Sequence, residues 1–282
     1  MGLKQHQTLT TVVAATTLAT GLALSSAHAD VLEQIKSDQQ FTVGTEARFA
    51  PFEFVENGEI VGYSADIMTY VMEEMPGVEL IRMDLPWQGI LPGLERERFD
   101  YVVTSVTATP ERAEQDYLSP PIADATMAVL KRQGDESIQS ADDFAGKVVG
   151  SQAGSAQFEA LEEKAAELDA SGTPVEDIKT YTGFDEAYAD LAAGRIDAVV
   201  NSLPNLLEAA RVRPDVFAVA ETFGDPMYFT WAGRRGEASE SLNAFMDEQI
   251  RRLNENGTLA ELQVEWFGGE MDLPTELPGM AQ

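Results

Sequence analysis

Apolar and polar positions alternate along this chain in two periods. Strand-length apolar runs rich in β-branched residues occur at Phe41–Gly44, Val78–Arg82, Phe99–Val103, Thr126–Leu130, Lys147–Gly150, Ile178–Tyr181, Ala198–Val200 and Phe217–Ala220. Between them lie segments of helical period. These are Val31–Lys36, Ser64–Met75 with Ser64 as cap, Trp87–Arg96, Ser140–Phe144, Ser155–Ala170, Phe184–Ala193 and Leu203–Ala210. Glu240–Gly257 and Thr258–Phe267 read as closing helices, and Glu56-Asn-Gly58 as a hairpin turn. Strand and helix alternate twice over, with no Gly/Ser-rich linker between the two sets. The order predicts an α/β protein of two similar lobes on mostly parallel sheets, with a ligand cleft between them.

The first 29 residues read differently. Lys4 is a thin basic start, Val12–Leu24 is apolar, and Ala27-His-Ala29 is a small-x-small cleavage site before Asp30. That is the pattern of a cleavable secretory signal, predicting a cut after Ala29 and a periplasmic location. No later stretch is long and apolar enough to span a bilayer.

Composition then removes function classes. The chain has 48 Asp+Glu against 19 Lys+Arg, a formal net charge of −29. Such a surface repels nucleic acid and anionic membranes. Only six of the cations are Lys, and this acid-rich, Lys-poor surface depends on screening counterions, which reads as adaptation to a salty exterior. There is no Cys, and both His residues, His6 and His28, lie inside the leading segment. Thiol catalysis, a His general base and the usual transition-metal ligands are therefore absent from the remainder; no metal and no cofactor is expected.

One stretch carries candidate binding chemistry. Thr104-Ser-Val-Thr-Ala-Thr-Pro-Glu-Arg112 follows the Tyr101-Val-Val strand. Thr109 suits an N-cap, Pro110 the first helical position and Glu111 the positive helix end. Arg112 sits in the first turn, the wrong end for a cation, so an anionic partner is expected. With the hydroxyls of Thr104, Ser105 and Thr107 at the preceding corner, the group forms a carboxylate-sized anion site. The other reading is a surface Arg paired with Glu114 or Asp116.

The motif series resembles the polar amino-acid class (family 3) of periplasmic solute-binding proteins of ABC importers. Val43-Gly-Thr-Glu-Ala-Arg-Phe-Ala-Pro-Phe-Glu53, Val61-Gly-Tyr-Ser-Ala-Asp-Ile67, Trp87-Gln-Gly-Ile-Leu-Pro92, Thr109-Pro-Glu-Arg112, Leu118-Ser-Pro-Pro121, Phe144-Ala-Gly-Lys147, Ala193-Gly-Arg-Ile-Asp-Ala198, Asn256-Gly-Thr-Leu259 and Trp266-Phe-Gly268 occur in the family's order. The resemblance implies the two-lobed, type II periplasmic-binding-protein-like fold. The first lobe would comprise residues 30–127 and 229–282, and the second 128–228. It also implies hinge closure around a solute and delivery to a membrane permease, without chemistry and as a monomer.

By the same resemblance, Arg112 holds the ligand's α-carboxylate, aided by Ser105 and Thr107 with Thr104 on the floor. Phe49 and Trp87 sandwich the ligand side chain. Glu46 faces a distal group or amine, while Phe52 and Glu53 belong to the turn. Gln152, Ser155 and Gln157 contact the ligand from the second lobe, Ser155 doubling as a helix cap. The chain departs from the family pattern where an Asp usually pairs with the α-ammonium: it has Asn201-Ser202. Ser202 cannot neutralise a cation, and an unpaired buried ammonium is costly. Either Glu46 takes that charge or the ligand lacks a primary ammonium, as in cyclic or N-substituted derivatives, compatible solutes or opine-like molecules. The rival is a periplasmic enzyme on the same scaffold, of prephenate/arogenate dehydratase type, with Glu46 as the acid.

Overall fold

The computed structural model describes residues 1–2 and 30–280, so the expected signal segment lies outside the described residues apart from its first two positions. From Asp30 the chain builds α1 (Val31–Asp38), β1 (Gln40–Thr45), the small antiparallel sheet of β2 (Arg48–Phe49), β3 (Glu53–Glu56) and β4 (Glu59–Val61), then α2 (Tyr63–Glu73) and β5 (Glu79–Asp84). A single 3-10 turn at Trp87–Gly89 leads into α3 (Ile90–Glu95), followed by β6 (Tyr101–Thr107), α4 (Pro110–Gln115), β7 (Tyr117–Leu118) and β8 (Ala123–Asp124). The second lobe holds β9 (Met127–Arg132), β10 (Val148–Gln152), α5 (Ala156–Ala170), β11 (Asp177–Tyr181), α6 (Phe184–Ala192), β12 (Ala198–Ser202), α7 (Leu203–Val212) and β13 (Phe217–Phe223). The chain then returns through β14 (Tyr228–Gly233), α8 (Glu240–Glu255) and α9 (Thr258–Phe267).

The two main sheets share a design. In the first, the order is β5-β1-β6-β14-β7, with β1 parallel to both β5 and β6 and β14 antiparallel to β6. In the second it is β11-β10-β12-β9-β13, with β10 parallel to β11 and β12, and β9 antiparallel to β12 and β13. Each sheet is thus mixed rather than mostly parallel. The chain crosses between lobes at residues 125–126 and again at 224–227, and the crossovers are tied by Ala125 N donating to Met227 O at 2.8 Å.

Alternation divides the core as a pleated strand must. In β9, Val129 packs with Phe144, Leu161 and Leu168 under α5, while Ala128 and Leu130 face the other way with Leu191 and Ile196. In the first lobe, Phe41, Val43, Tyr101 and Trp231 pack against Ile67, Met68, Met246 and Ile250 of α2 and α8; on the opposite face Val102 and Val106 meet Ile90, Leu94 and Ala113 of α3 and α4. The hairpin at Asn57-Gly58 has φ of 53° and 87°, as a two-residue turn between β3 and β4 requires. Among the described residues no helix is long and apolar enough to cross a membrane.

Three local expectations change. Helix α2 starts at Tyr63 with Gly62 as its N-cap and no side-chain capping bond, so Ser64 is not the cap. Strand β6 runs on through Thr104, Ser105 and Thr107 instead of turning there, every one of its residues buried; β-branched Thr fits a pleated strand well. The segment expected to be one helix from Trp87 to Arg96 is divided at Ile90, the 3-10 turn holding Trp87.

Candidate functional site

Two lobe edges meet around one small cavity. Its wall is Glu46, Phe49, Trp87, Ser105, Thr107 and Arg112 from the first lobe and Gln152, Ser155 and Gln157 from the second, enclosing about 10 Å³. That is room for about one water. A groove of about 1100 Å³ between α7 and the chain after α9 is an open surface feature. Convergent buried polar groups, the mark of a small-molecule site, belong to the interlobe cavity.

Arg112 is positioned by the start of α4. Thr109 caps the helix, its Oγ1 accepting from Arg112 N at 3.2 Å, with Pro110 in the first turn. The helix is only six residues long, so Arg112 belongs to both its first and its last turn and the dipole argument loses force. Burial matters more. The side chain is nearly inaccessible, one guanidinium N–H donates to Thr107 O at 2.8 Å, and Cζ lies 5.0 Å from the Trp87 ring centroid. Among the described residues no carboxylate oxygen lies within 4.0 Å of it. Glu114 and Asp116 therefore do not pair with it as a surface Arg would require. Desolvation lowers its pKa, opposed by the more distant Glu159, Asp116 and Glu111.

Behind this group lies a chain of buried carboxylates. Glu53 accepts from Thr104 Oγ1 at 2.6 Å and from Ser105 N at 2.9 Å; Ser105 Oγ is 3.4 Å from its second oxygen. Thr104 Oγ1 also accepts from Glu46 N at 3.3 Å, so its hydroxyl is fully engaged and it stands behind the cavity wall rather than on it. Glu46 receives Gln152 Nε2 at 2.6 Å from the second lobe. Burial pushes Glu46 up to about 8, against the Gln152 bond and with help from Glu53. Burial likewise pushes Glu53 up to about 7, against its hydroxyl and amide bonds.

Aromatic placement is divided. Phe49 lines the cavity but also belongs to the core, with ring centroids 6.0 Å from Phe52, 5.7 Å from Phe229 and 5.7 Å from Phe184 of the second lobe. One side of Trp87 is occupied by Arg112. At the opposite wall, Ser155 caps α5 as predicted, Oγ accepting from Phe158 N at 3.1 Å and donating to Gln152 O at 2.8 Å. Helix geometry leaves the N–H groups of Ala156 and Gln157 without intrahelical acceptors at this end. Ser202 is not on the wall: its hydroxyl donates to Asn205 Oδ1 at 2.5 Å and its N–H to Asn201 Oδ1 at 2.7 Å.

The lobes are bonded directly across the cleft. Trp87 Nε1 donates to Gly154 O at 2.8 Å, Gln88 Nε2 to Ala153 O at 2.9 Å, and Asn205 Nδ2 to Ala50 O at 2.8 Å. Sequence reasoning missed Gln88, Asn205 and the burial of Glu53. Glu53 stands between Phe52 and Phe54, and alternation alone would turn it outward; instead Glu53 is buried and Phe54 only half-buried. A Gln beside Trp87 or an Asn in α7 carries no linear signal.

This architecture has known relatives. The chain is 28% identical over 262 residues to the L-cystine-binding protein TcyJ of Escherichia coli (strain K12), spanning 92% of this chain and 94% of that protein. Among solved structures, it is similar to the amino acid ABC transporter substrate-binding protein AbpA from Streptococcus pneumoniae bound to L-arginine, at TM-score 0.75 and 26% identity over 84% of this chain and 98% of that one. It is equally similar to an ancestral amino acid-binding protein described as a precursor of cyclohexadienyl dehydratase, at TM-score 0.75 and 26% identity over 84% and 100% of the two chains. The pattern of the bacterial extracellular solute-binding proteins, family 3, matches residues 41–269. With two lobes and an interlobe site of this kind, the chain belongs to that family.

Proposed function

We propose that this protein captures an amino acid or a close derivative outside the cytoplasm and delivers it to the permease of an ABC importer. Residues 30–127 with 229–282, and 128–228, move as two bodies about the crossovers. Arg112 anchors the ligand carboxylate through a bidentate fork, with Ser105, Thr107 and the start of α5 completing the anion site. Glu46 takes the ligand's cationic group, since it lines the cavity and Ser202 does not. Phe49 and Trp87 pack against the side chain, with Gln152 and Gln157 closing from the second lobe. A cavity near the size of one water admits such a ligand only when the lobes part, so binding is a hinge motion.

The observation that carries this reading is the buried Arg112 guanidinium with no carboxylate partner among the described residues. A buried cation of this kind is stable only if something compensates it, and a ligand carboxylate is the missing group. The test is a thermal-shift screen over amino acids, their cyclic and N-substituted derivatives and osmolytes, since a ligand that binds only the folded form raises the melting temperature. Arg112→Ala should abolish the shift given by the best ligand; an unchanged affinity would sink the assignment.

A second reading rests on Glu46, a carboxyl held protonated near neutrality at the cavity wall, and on the likeness to a dehydratase precursor. A general acid with such a pKa is suited to protonating a departing hydroxyl, which then leaves as water. Incubation with prephenate or arogenate decides it: turnover at a useful rate replaces transport with catalysis.

A further inference from the structure

Two buried carboxylates, Glu46 and Glu53, stand against one buried guanidinium, Arg112, at this site. Thr104 Oγ1 donates to Glu53 Oε1 at 2.6 Å and accepts from the backbone N–H of Glu46 at 3.3 Å, which ties Glu53 to the main chain of Glu46, and the charge of Glu53 raises the Glu46 carboxyl further. Only Glu46 reaches the cavity wall. Neither acid has an ion-pair partner among the described residues. The groups facing Glu46 are Gln152 from β10, Glu53 from β3, Arg48 from β2 and the Trp87 backbone N–H. Those facing Glu53 are Thr104 and Ser105 from β6 and Ser64 from α2. Asp84 accepts from Ala47 N beside them.

Charge balance in a closed, water-poor cavity then depends on the ligand. A zwitterion places its carboxylate on Arg112 and its ammonium against an ionised Glu46, and the site is neutral if Glu53 holds a proton. A ligand with one further cationic group leaves an excess positive charge, which an ionised Glu53 neutralises. Uncompensated charge in such a place is costly, so the proton follows the ligand.

We propose that Glu53, acting through Ser105 on the cavity wall and Thr104 behind it, couples ligand charge to one proton: a zwitterionic amino acid is held with Glu53 protonated, and a cationic one with Glu46 and Glu53 both ionised. The proton goes to the buffer when the cationic ligand binds. Glu53 is a positioning residue that sets which charge class the site accepts at a given pH. Both acids titrate near neutrality because burial raises them to about 8 and about 7, which puts the exchange in an accessible range.

This inference rests on the proposed amino-acid site, and its test separates the two. Affinities for L-arginine and L-glutamine are measured calorimetrically at pH 6, 7 and 8, in two buffers of different ionisation enthalpy. One proton separates the two bound forms, so selectivity for L-arginine over L-glutamine should rise about tenfold per pH unit. Proton release should be greater with L-arginine by about one per ligand. Glu53→Gln, which keeps the acceptor oxygen for Thr104 and mimics the protonated acid, should flatten the selectivity profile, with L-glutamine still bound and L-arginine weakened at every pH. If that variant does not fold, the wild-type profile and proton counts decide alone. A flat wild-type selectivity with equal proton counts overturns the coupling and leaves the binding function standing. Binding of neither probe overturns the coupling, and absence of Arg112-dependent binding of any amino acid overturns the function with it.

Discussion

Arg112 and Trp87 form a unit. The indole lies 5.0 Å from the guanidinium carbon and at the same time reaches across the cleft through Nε1 to Gly154 O. One residue thus packs on the Arg112 guanidinium and bonds the second lobe, and its two contributions separate in a single variant. Trp87→Phe keeps a ring for Arg112 but removes the interlobe hydrogen bond. Such a bond has a net worth of about 1 kcal/mol, so ligand affinity by titration calorimetry should fall roughly fivefold. An affinity equal to wild type would show that the indole N–H does not help hold the lobes together. The cap that places Arg112 was readable from Thr109-Pro-Glu-Arg112, because capping is a local contact that sequence neighbours satisfy among themselves. Thr104 was not readable, because its hydroxyl is claimed by Glu53, a residue 51 positions away in the chain.

At the level of elements, most strands and helices follow from period and caps. β1, β5, β9 to β12 and α5 to α9 lie where the apolar spacing puts them, and Ser140 and Ser155 cap as their positions imply. β14 was missed. It is a buried strand of the first sheet, Tyr228–Gly233, formed by residues that follow the whole second lobe. Its partner β6 lies more than a hundred residues earlier, and nothing local announces the pairing. Its tightest point is Gly233, where an added Cβ would meet the side chain of Asn243 on α8 and stand 2.6 Å from Tyr101 Cε2. Tyr101 is fully buried and cannot move away cheaply. Gly233→Ala should therefore cost about 1–3 kcal/mol by overpacking. Its melting temperature should fall by several degrees, measured by calorimetry; an unchanged value would mean that β14 and α8 are less tightly joined than these contacts imply.

On the scale of the whole molecule, the lobes are joined by two crossovers and by bonds across the cleft. Gln88 is exposed, lies off the cavity wall and donates to Ala153 O and Thr182 O of the other lobe. Gln88→Ala should shift the balance toward the open form and weaken every ligand by one common factor, about fivefold to thirtyfold for two lost bonds of about 0.5–1 kcal/mol each. Unequal losses across a ligand series would place Gln88 in direct contact with ligand instead.

The buried acids also give stability a pH dependence. Glu46 and Glu53 sit at about 8 and about 7 in the folded protein against an ordinary value of 4.5, so the native state binds the extra protons. Their contribution is complete below about 4.5 and is lost as pH rises through 7 and 8. Melting temperature should drop across that window, and the drop should shrink in Glu53→Gln; a rise from pH 5 to pH 8 would contradict the sign.

The two-lobed α/β fold and the capped helix corners at Thr109, Ser140 and Ser155 could be read along the chain, because each rests on spacing or capping within a few residues. Where β14 runs, which lobe edges touch, that Thr104 stands behind the wall and Ser202 off it, and that Glu53 is buried beside Glu46 were settled only by the folded arrangement. Each of these depends on contacts between segments tens to hundreds of residues apart. Burial, which sets the charge of the two acids, is a property of that packing rather than of any stretch of sequence.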